Sequence, residues 1–201
     1  MVEIVIAFLT GVLGPIAILL IKYTLEKKKT KSDPLSEVVT NANIVSDELD
    51  KLLIEVSADR AWIAQFHNGG HFYPTGKSIQ KFSFFYESVK VVKDSIRLNF
   101  QNIPVNLFSK ALGGVLEDDY IAITDYKDEK VATHGLKYIA EETGAKSTYL
   151  FGIRTVDDRL IGVLGIEYTA RKKTLDAAQI VNLRLEAAKL GGVLMSHLEK
   201  K

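Results

Sequence analysis

The stretch whose reading decides the fold is 147–155 (STYLFGIRT), 156–159 (VDDR) and 160–169 (LIGVLGIEYT). β-branched and aromatic residues fill both outer runs, and the four residues between them suit a tight turn, so the segment predicts an antiparallel hairpin. Upstream, 61–67 (AWIAQFH) and 79–89 (IQKFSFFYESV) have the same texture and predict two more strands, joined by a loop rich in glycine and proline. Between these pairs, 105–113 predicts a short helix, 120–124 (YIAIT) a strand, and 129–142 a helix stopped by Gly144.

Two amphipathic helices flank this strand-rich middle. In 35–58 the apolar residues Leu35, Val38, Ala42, Val45, Leu49, Leu52 and Val56 follow spacings of three and four, the heptad pattern of a packing seam. The seam lies either on its own domain or against a second copy. The closing helix, 175–198, carries Ile180, Leu183, Ala187, Leu190, Leu194 and Leu198 on one stripe. Helices on one face of an antiparallel sheet make an α+β layered domain.

Residues 4–21 (IVIAFLTGVLGPIAILLI) hold no charge, and a helix of that length nearly matches a bilayer core at about 27 Å. A cleaved signal peptide would begin with a basic region; here Glu3 is the charge that precedes the run, which predicts an uncleaved transmembrane anchor over 1–23. The flank from Lys22 to Lys31 carries +4, leaving −2 for everything from Ser32 onward. By the positive-inside rule the amino terminus faces outward and the domain faces the cytoplasm, which predicts a single-pass inner-membrane protein. The parts are then anchor 1–23, basic juxtamembrane linker 24–34 and cytoplasmic domain 35–201, its sheet core at 60–170 and its terminal helix at 175–199.

The 201 residues contain 26 Lys+Arg against 25 Asp+Glu, a balance that argues against nucleic acid as a partner. Cysteine is absent, which removes thiol nucleophiles, thiolate metal sites and thioether attachment of a chromophore together.

The element order, the run Asp-Asp-Arg-Leu-Ile-Gly-Val-Leu-Gly-Ile-Glu at 157–167 and the helix at each end resemble a GAF domain over roughly 35–199. The resemblance implies terminal helices packed together behind the sheet, often in a dimer, and a small-molecule pocket on the opposite face. A homodimer through 35–58 and 175–199 is the corresponding expectation. The sulfoxide-reductase branch of that family needs cysteines and its bilin-binding branch usually one, and the asparagine-lysine-phenylalanine and aspartate-glutamate motif of its cyclic-nucleotide-binding branch is not recognisable here. The reading is a membrane-anchored sensor or adaptor without a catalytic output domain, its cofactor unknown. The alternatives are a recruitment protein with no small ligand, or a His-dependent metal-binding hydrolase.

Strand parity supplies the candidate site. Alternate side chains share a face, and polar residues fall on one parity of each strand, so Gln65, His67, Ser83, Glu87, Arg154 and Glu167 are expected to line one pocket face. The other outcome is that they meet water at strand ends, or that Arg154 bridges Glu167 across the hairpin. The run His67-Asn68-Gly69-Gly70-His71 reads as a structural turn, a ligand contact or part of a metal site. Tyr73 and Phe72 either stack on a ring or cover the core edge. Asp118, Asp119, Asp125, Asp128 and Glu129 read as a solvated acidic loop, and His134 and His197 as surface or interface residues. No catalytic constellation is evident.

Overall fold

A computed structural model describes residues 14–28, 33–69, 71, 73, 80–131 and 135–198. Two compact units are present, 1–37 and 38–201.

In the first unit, helix α1 runs Gly14–Lys28, with Ile16, Ile18, Leu19, Leu20 and Ile21 exposed. Most of the expected span lies at 4–13, outside the described residues. Among the described residues no helix is long and apolar enough to cross a membrane. Helix α2, Pro34–Glu55, opens where Asp33 accepts the Leu35 amide through its Oδ1 at 3.2 Å, satisfying a first-turn donor. Proline at the first helical position suits its fixed φ.

In the second unit the strands are β1 Arg60–His67, β2 Lys81–Val89, β3 Ile103–Pro104, β4 Tyr120–Ile123, β5 Ser147–Arg154 and β6 Leu160–Tyr168. They form one antiparallel sheet in the order β3-β2-β1-β6-β5-β4. Two 3₁₀ turns, Val92–Asp94 and Val105–Phe108, precede helix α3, Ser109–Asp118; a third, Glu129–Val131, precedes α4, Gly135–Thr143; and α5 is Ala177–Leu198. The expected hairpin at 147–169 is the β5–β6 pair. The two-residue strand β3 was not expected; Pro104 leaves it no interior ladder donor to signal it.

The sheet has a different core on each face. On one, Ala61, Ile63, Tyr149, Phe151, Leu164 and Ile166 pack beneath Val45, Leu49, Leu52 and Val56 of the α2 segment and Leu183, Ala187, Leu190 and Leu194 of α5. Each fully buried side chain of this kind is worth about 1.5–3 kcal/mol. The seam is therefore intramolecular from Val45 onward, while Leu35 and Val38 stand exposed. On the other face, Trp62, Ala64, Phe66, Phe82, Phe84 and Leu150 meet Phe108, Leu112, Val115, Leu136 and Ile139 from the 3₁₀ turn, α3 and α4.

Candidate functional site

The six polar residues expected on one face are divided between two. Gln65 pairs with Ser83, and both fall with His67 on the face of Ile63, the side of α2 and α5. Glu87 stands opposite Trp62, and Glu167 opposite Arg60, on the other side. For Glu87 the cause is a β-bulge: Ile63 pairs with Tyr86 but Ala64 with Phe84, so Phe85 is the extra residue and parity reverses between Ser83 and Glu87; Glu167 is set apart by the regular β1–β6 register. A two-residue alternation holds only while the ladder is regular. A second irregularity, at Arg154 and Leu160, puts Ile161 on the helix side.

Nearly every one of these polar groups has a protein partner. Arg60 Nε donates to Glu167 Oε2 at 2.7 Å, Nη2 lies 2.5 Å from the same oxygen, and Nη1 donates to the Asp94 carbonyl at 2.8 Å. The alternative, an Arg154–Glu167 bridge, does not form either, because Glu167 sits across from Thr148 at the far end of the hairpin from Arg154. Arg154 instead donates to Asp119 Oδ1 at 2.8 Å and to the carbonyls of Leu116 and Asp158, tying the end of α3 to the hairpin turn. Glu87 accepts from Ser95 Oγ and from the amides of Ile96 and Arg97, closing the loop after β2.

The His67–His71 run is a turn. The Asn68 amide donates to the His71 carbonyl at 3.1 Å, the His71 amide to Asn68 Oδ1 at 3.0 Å, and the Tyr73 amide to the Phe66 carbonyl at 3.0 Å. His67 Nδ1 accepts from the Gly69 amide at 3.1 Å, which leaves the ring proton on Nε2, 2.8 Å from Ser83 Oγ. Burial, and then the Lys81 charge, hold the His67 imidazole below its ordinary value. His71 is exposed, and Tyr73 covers the core edge against both clusters. Among the described residues no group of three or more His, Asp and Glu could hold a metal ion.

The acidic stretch is solvated, as expected, with two of its carboxylates paired. Asp119, at φ 65°, ends α3 and pairs with Arg154 and with Arg184 of α5, the latter at 3.0 Å. Partial burial pushes its carboxyl up, but the hydrogen bonds from Arg184 and Arg154 outweigh that and hold it below the usual carboxylate range. Asp125 pairs with Lys172. His134 lies outside the described residues, as do Phe72 and the side chain of His197.

Among the described residues an apolar pocket lies elsewhere, between the sheet and the α3–α4 cover. It is a cavity of about 20 Å³ lined by carbon-rich side chains, among them Trp62, Phe66, Phe84, Phe108, Leu136 and Ile139. No expected site residue lines it. Trp62 stacks on Phe84, ring centroids 4.1 Å apart and planes 17° off parallel, and lies flat over Gly165, where a Cβ would fall 2.2 Å from its ring. Its Nε1 is buried and has no hydrogen-bond partner among the described residues. The sequence signal was the chain's one tryptophan on the apolar parity of β1, readable only as core.

No protein-family model matches the sequence, and comparison with curated proteins finds no match either. Solved structures do match in fold. The blue-light absorbing form of the Thermosynechococcus elongatus PixJ GAF domain is 17% identical with a TM-score of 0.64, over 83% of this chain and 92% of that one. GAF3 of Slr1393 from Synechocystis, in its photoproduct state, is 20% identical at 0.60, over 79% and 96%. The phycocyanobilin-bound GAF domain of a cyanobacterial phytochrome is 15% identical at 0.61, over 85% and 99%. The chain has the fold of these GAF domains.

Proposed function

We propose that the protein is a sensory module of GAF fold, anchored in the inner membrane by residues 4–21, with its domain on the cytoplasmic side. It binds a small ligand or a protein partner, and passes the event on through its terminal helices as a homodimer rather than by catalysis. The observation that carries the reading is the apolar cavity on the sheet face opposite α2 and α5, in a domain with the fold of GAF domains. Membrane anchoring is supported by the uncharged run, the lysine-rich flank and the exposed isoleucines and leucines of α1. Dimerisation is supported by the apolar side chains Leu35, Val38, Val39 and Ile44, exposed along α2.

A second reading, a recruitment protein with no small ligand, is favoured by the small volume of the cavity, which its own aromatic side chains nearly fill.

Native mass spectrometry of the full chain released from nanodiscs, with carbonate extraction of membranes, tests the proposal. A dimer that stays in the membrane pellet and carries a discrete added mass is the expected result. A bare dimer moves the weight to recruitment. A monomer released by carbonate overturns both the anchor and the dimer.

A further inference from the structure

We infer that the outward face of α5 docks an amphipathic helix of a different protein, one with leucine-type side chains along its seam and acidic residues beside it. The inference rests on the protein-partner arm of the reading above and names the chemistry of that partner.

Helix α5 carries two apolar seams. Leu183, Ala187, Leu190 and Leu194 are buried in the core that the helix shares with the sheet and α2. On the other side of the helix, Val181, Leu185, Ala188, Gly192 and Met195 follow spacings of four, three, four and three, again a heptad pattern. Val181 and Leu185 are each 57% exposed, Ala188 and Gly192 are exposed, and Met195 is half-buried. Single exposed apolar residues need no explanation, but five in one register form a contiguous patch of the kind that marks a protein interface.

The shape of the patch suits a helix. Beside its carboxyl-terminal half stands the β5–β6 turn, with Val156 fully exposed, and an open groove lies between turn and helix. The α5 residues that line this groove, Ala188, Gly191, Gly192 and Met195, stand at i, i+3, i+4 and i+7. Those are the four corners of the hole that receives one knob from a facing helix. Gly192 has no role inside the domain: nothing described lies within 4 Å of where its Cβ would be. A glycine in a helix interior costs about 1 kcal/mol against alanine, and here the cost leaves the hole open.

Charge selects the occupant. With Leu185 and Gly192 at position a and Val181, Ala188 and Met195 at d, Arg184 falls at g and Lys189 at e, and no acid borders the stripe on α5. In a parallel pair of α5 helices Arg184 of one copy meets Lys189 of the other, and in an antiparallel pair each residue meets its own kind, so a second copy is repelled in either orientation. The carboxylates that hold these cations lie off the outward face: Asp119 reaches Arg184 from the end of α3, and Glu186, the partner of Lys189, is buried. Asp157, the acid in the groove lining, is paired with Arg159. A helix with glutamate or aspartate beside its own seam meets Arg184 and Lys189 with opposite charge.

Two labelled peptides of three heptads test this, both with leucine at a and d, one with glutamate and one with lysine at e and g. Like charges along each peptide oppose its self-association. Fluorescence anisotropy follows their binding to the full chain in nanodiscs of zwitterionic lipid. The glutamate peptide is expected to bind about tenfold tighter than the lysine peptide at low salt, and the difference to shrink as salt is raised. Leu185→Asp, at an exposed position, is expected to leave the thermal melt unchanged and to weaken the glutamate peptide by about tenfold or more; attraction to the lysine-rich linker would not be lost with it. Arg184→Gln with Lys189→Gln keeps donors for Asp119 and Glu186, and is expected to bring the two peptides close to equal affinity.

Equal affinity of the two peptides for the natural chain, or glutamate-peptide binding indifferent to Leu185→Asp, overturns the inference. So does a native mass spectrum in which Leu185→Asp converts dimer to monomer, because a second copy then covers the stripe. Failure of the sensory reading is read separately. A natural chain that is monomeric or released by carbonate leaves the peptide preference untouched, whereas a membrane-bound dimer that ignores the glutamate peptide keeps that reading and rejects only this partner.

Discussion

Arg60 and Glu167 are as deeply buried as the leucines around them, at 1% exposure each, and neither can exchange its partner for water. Removing one member of such a pair strands the other, which costs far more than the pair contributes to begin with. Glu167→Ala is expected to lose about 3–5 kcal/mol in urea denaturation, while Arg60→Met with Glu167→Leu recovers most of it. His67 supplies a second prediction at this scale. Burial, and then the Lys81 charge, favour the neutral imidazole, so its folded value lies below the ordinary one of about 6.5. The unfolded chain therefore binds the proton first as pH falls. Stability from this group is full above about pH 6.5 and is lost below it, by at most about 1.4 kcal/mol per pH unit. His67→Gln keeps a donor for Ser83 and does not titrate; the difference between its stability and that of the natural chain is expected to narrow as pH falls from 7 to 5 in parallel urea titrations.

At the scale of elements, α5 contains a pair of neighbouring glycines with opposite roles. A Cβ on Gly191 would fall 2.2 Å from the Arg154 carbonyl oxygen, so this residue sets how closely α5 approaches β5; nothing lies within 4 Å of a Cβ on Gly192. Gly191→Ala is expected to destabilise by about 1–3 kcal/mol through overpacking. Gly192→Ala is expected to stabilise by up to about 1 kcal/mol through helix propensity. Thermal melts followed by circular dichroism compare the two, and equal effects would reject the close approach. Elements were the most legible level of the sequence. Helices 35–58 and 175–198 and the hairpin at 147–169 appeared within a few residues of their expected bounds, because periodicity and turn chemistry are local. The candidate site was not legible, because a bulge at Phe85 separated Glu87 from Ser83 and the β1–β6 register set Glu167 opposite Arg60 rather than on the face of Gln65, and both are properties of the ladder between two strands rather than of either alone.

For the whole molecule, the α2 seam divides into a buried part and an exposed part. Val45, Leu49, Leu52 and Val56 are buried, whereas Val38 is 44% and Leu35 is 68% exposed. Leu35→Asp with Val38→Asp is expected to leave the melting transition of the chain nearly unchanged and to shift the native mass spectrum from dimer to monomer. A dimer that persists would place the interface away from this end of α2. Val45→Asp, by contrast, buries an unpaired carboxylate and is expected to abolish folding, read as loss of the cooperative melt.

What the sequence determined by itself was therefore local in origin: the α+β class, the order of helices and strands, the apolar run with its basic flank, and the resemblance to GAF domains that the solved structures bear out as a fold. Tertiary structure alone decided the partners: Arg60 for Glu167, Asp119 for Arg154 and Arg184, and a tryptophan laid over a glycine beside the cavity. Spacing along a chain reports which side chains share an element. Which side chains touch depends on register, bulges and the packing of distant elements, and these are settled only when the sheet closes.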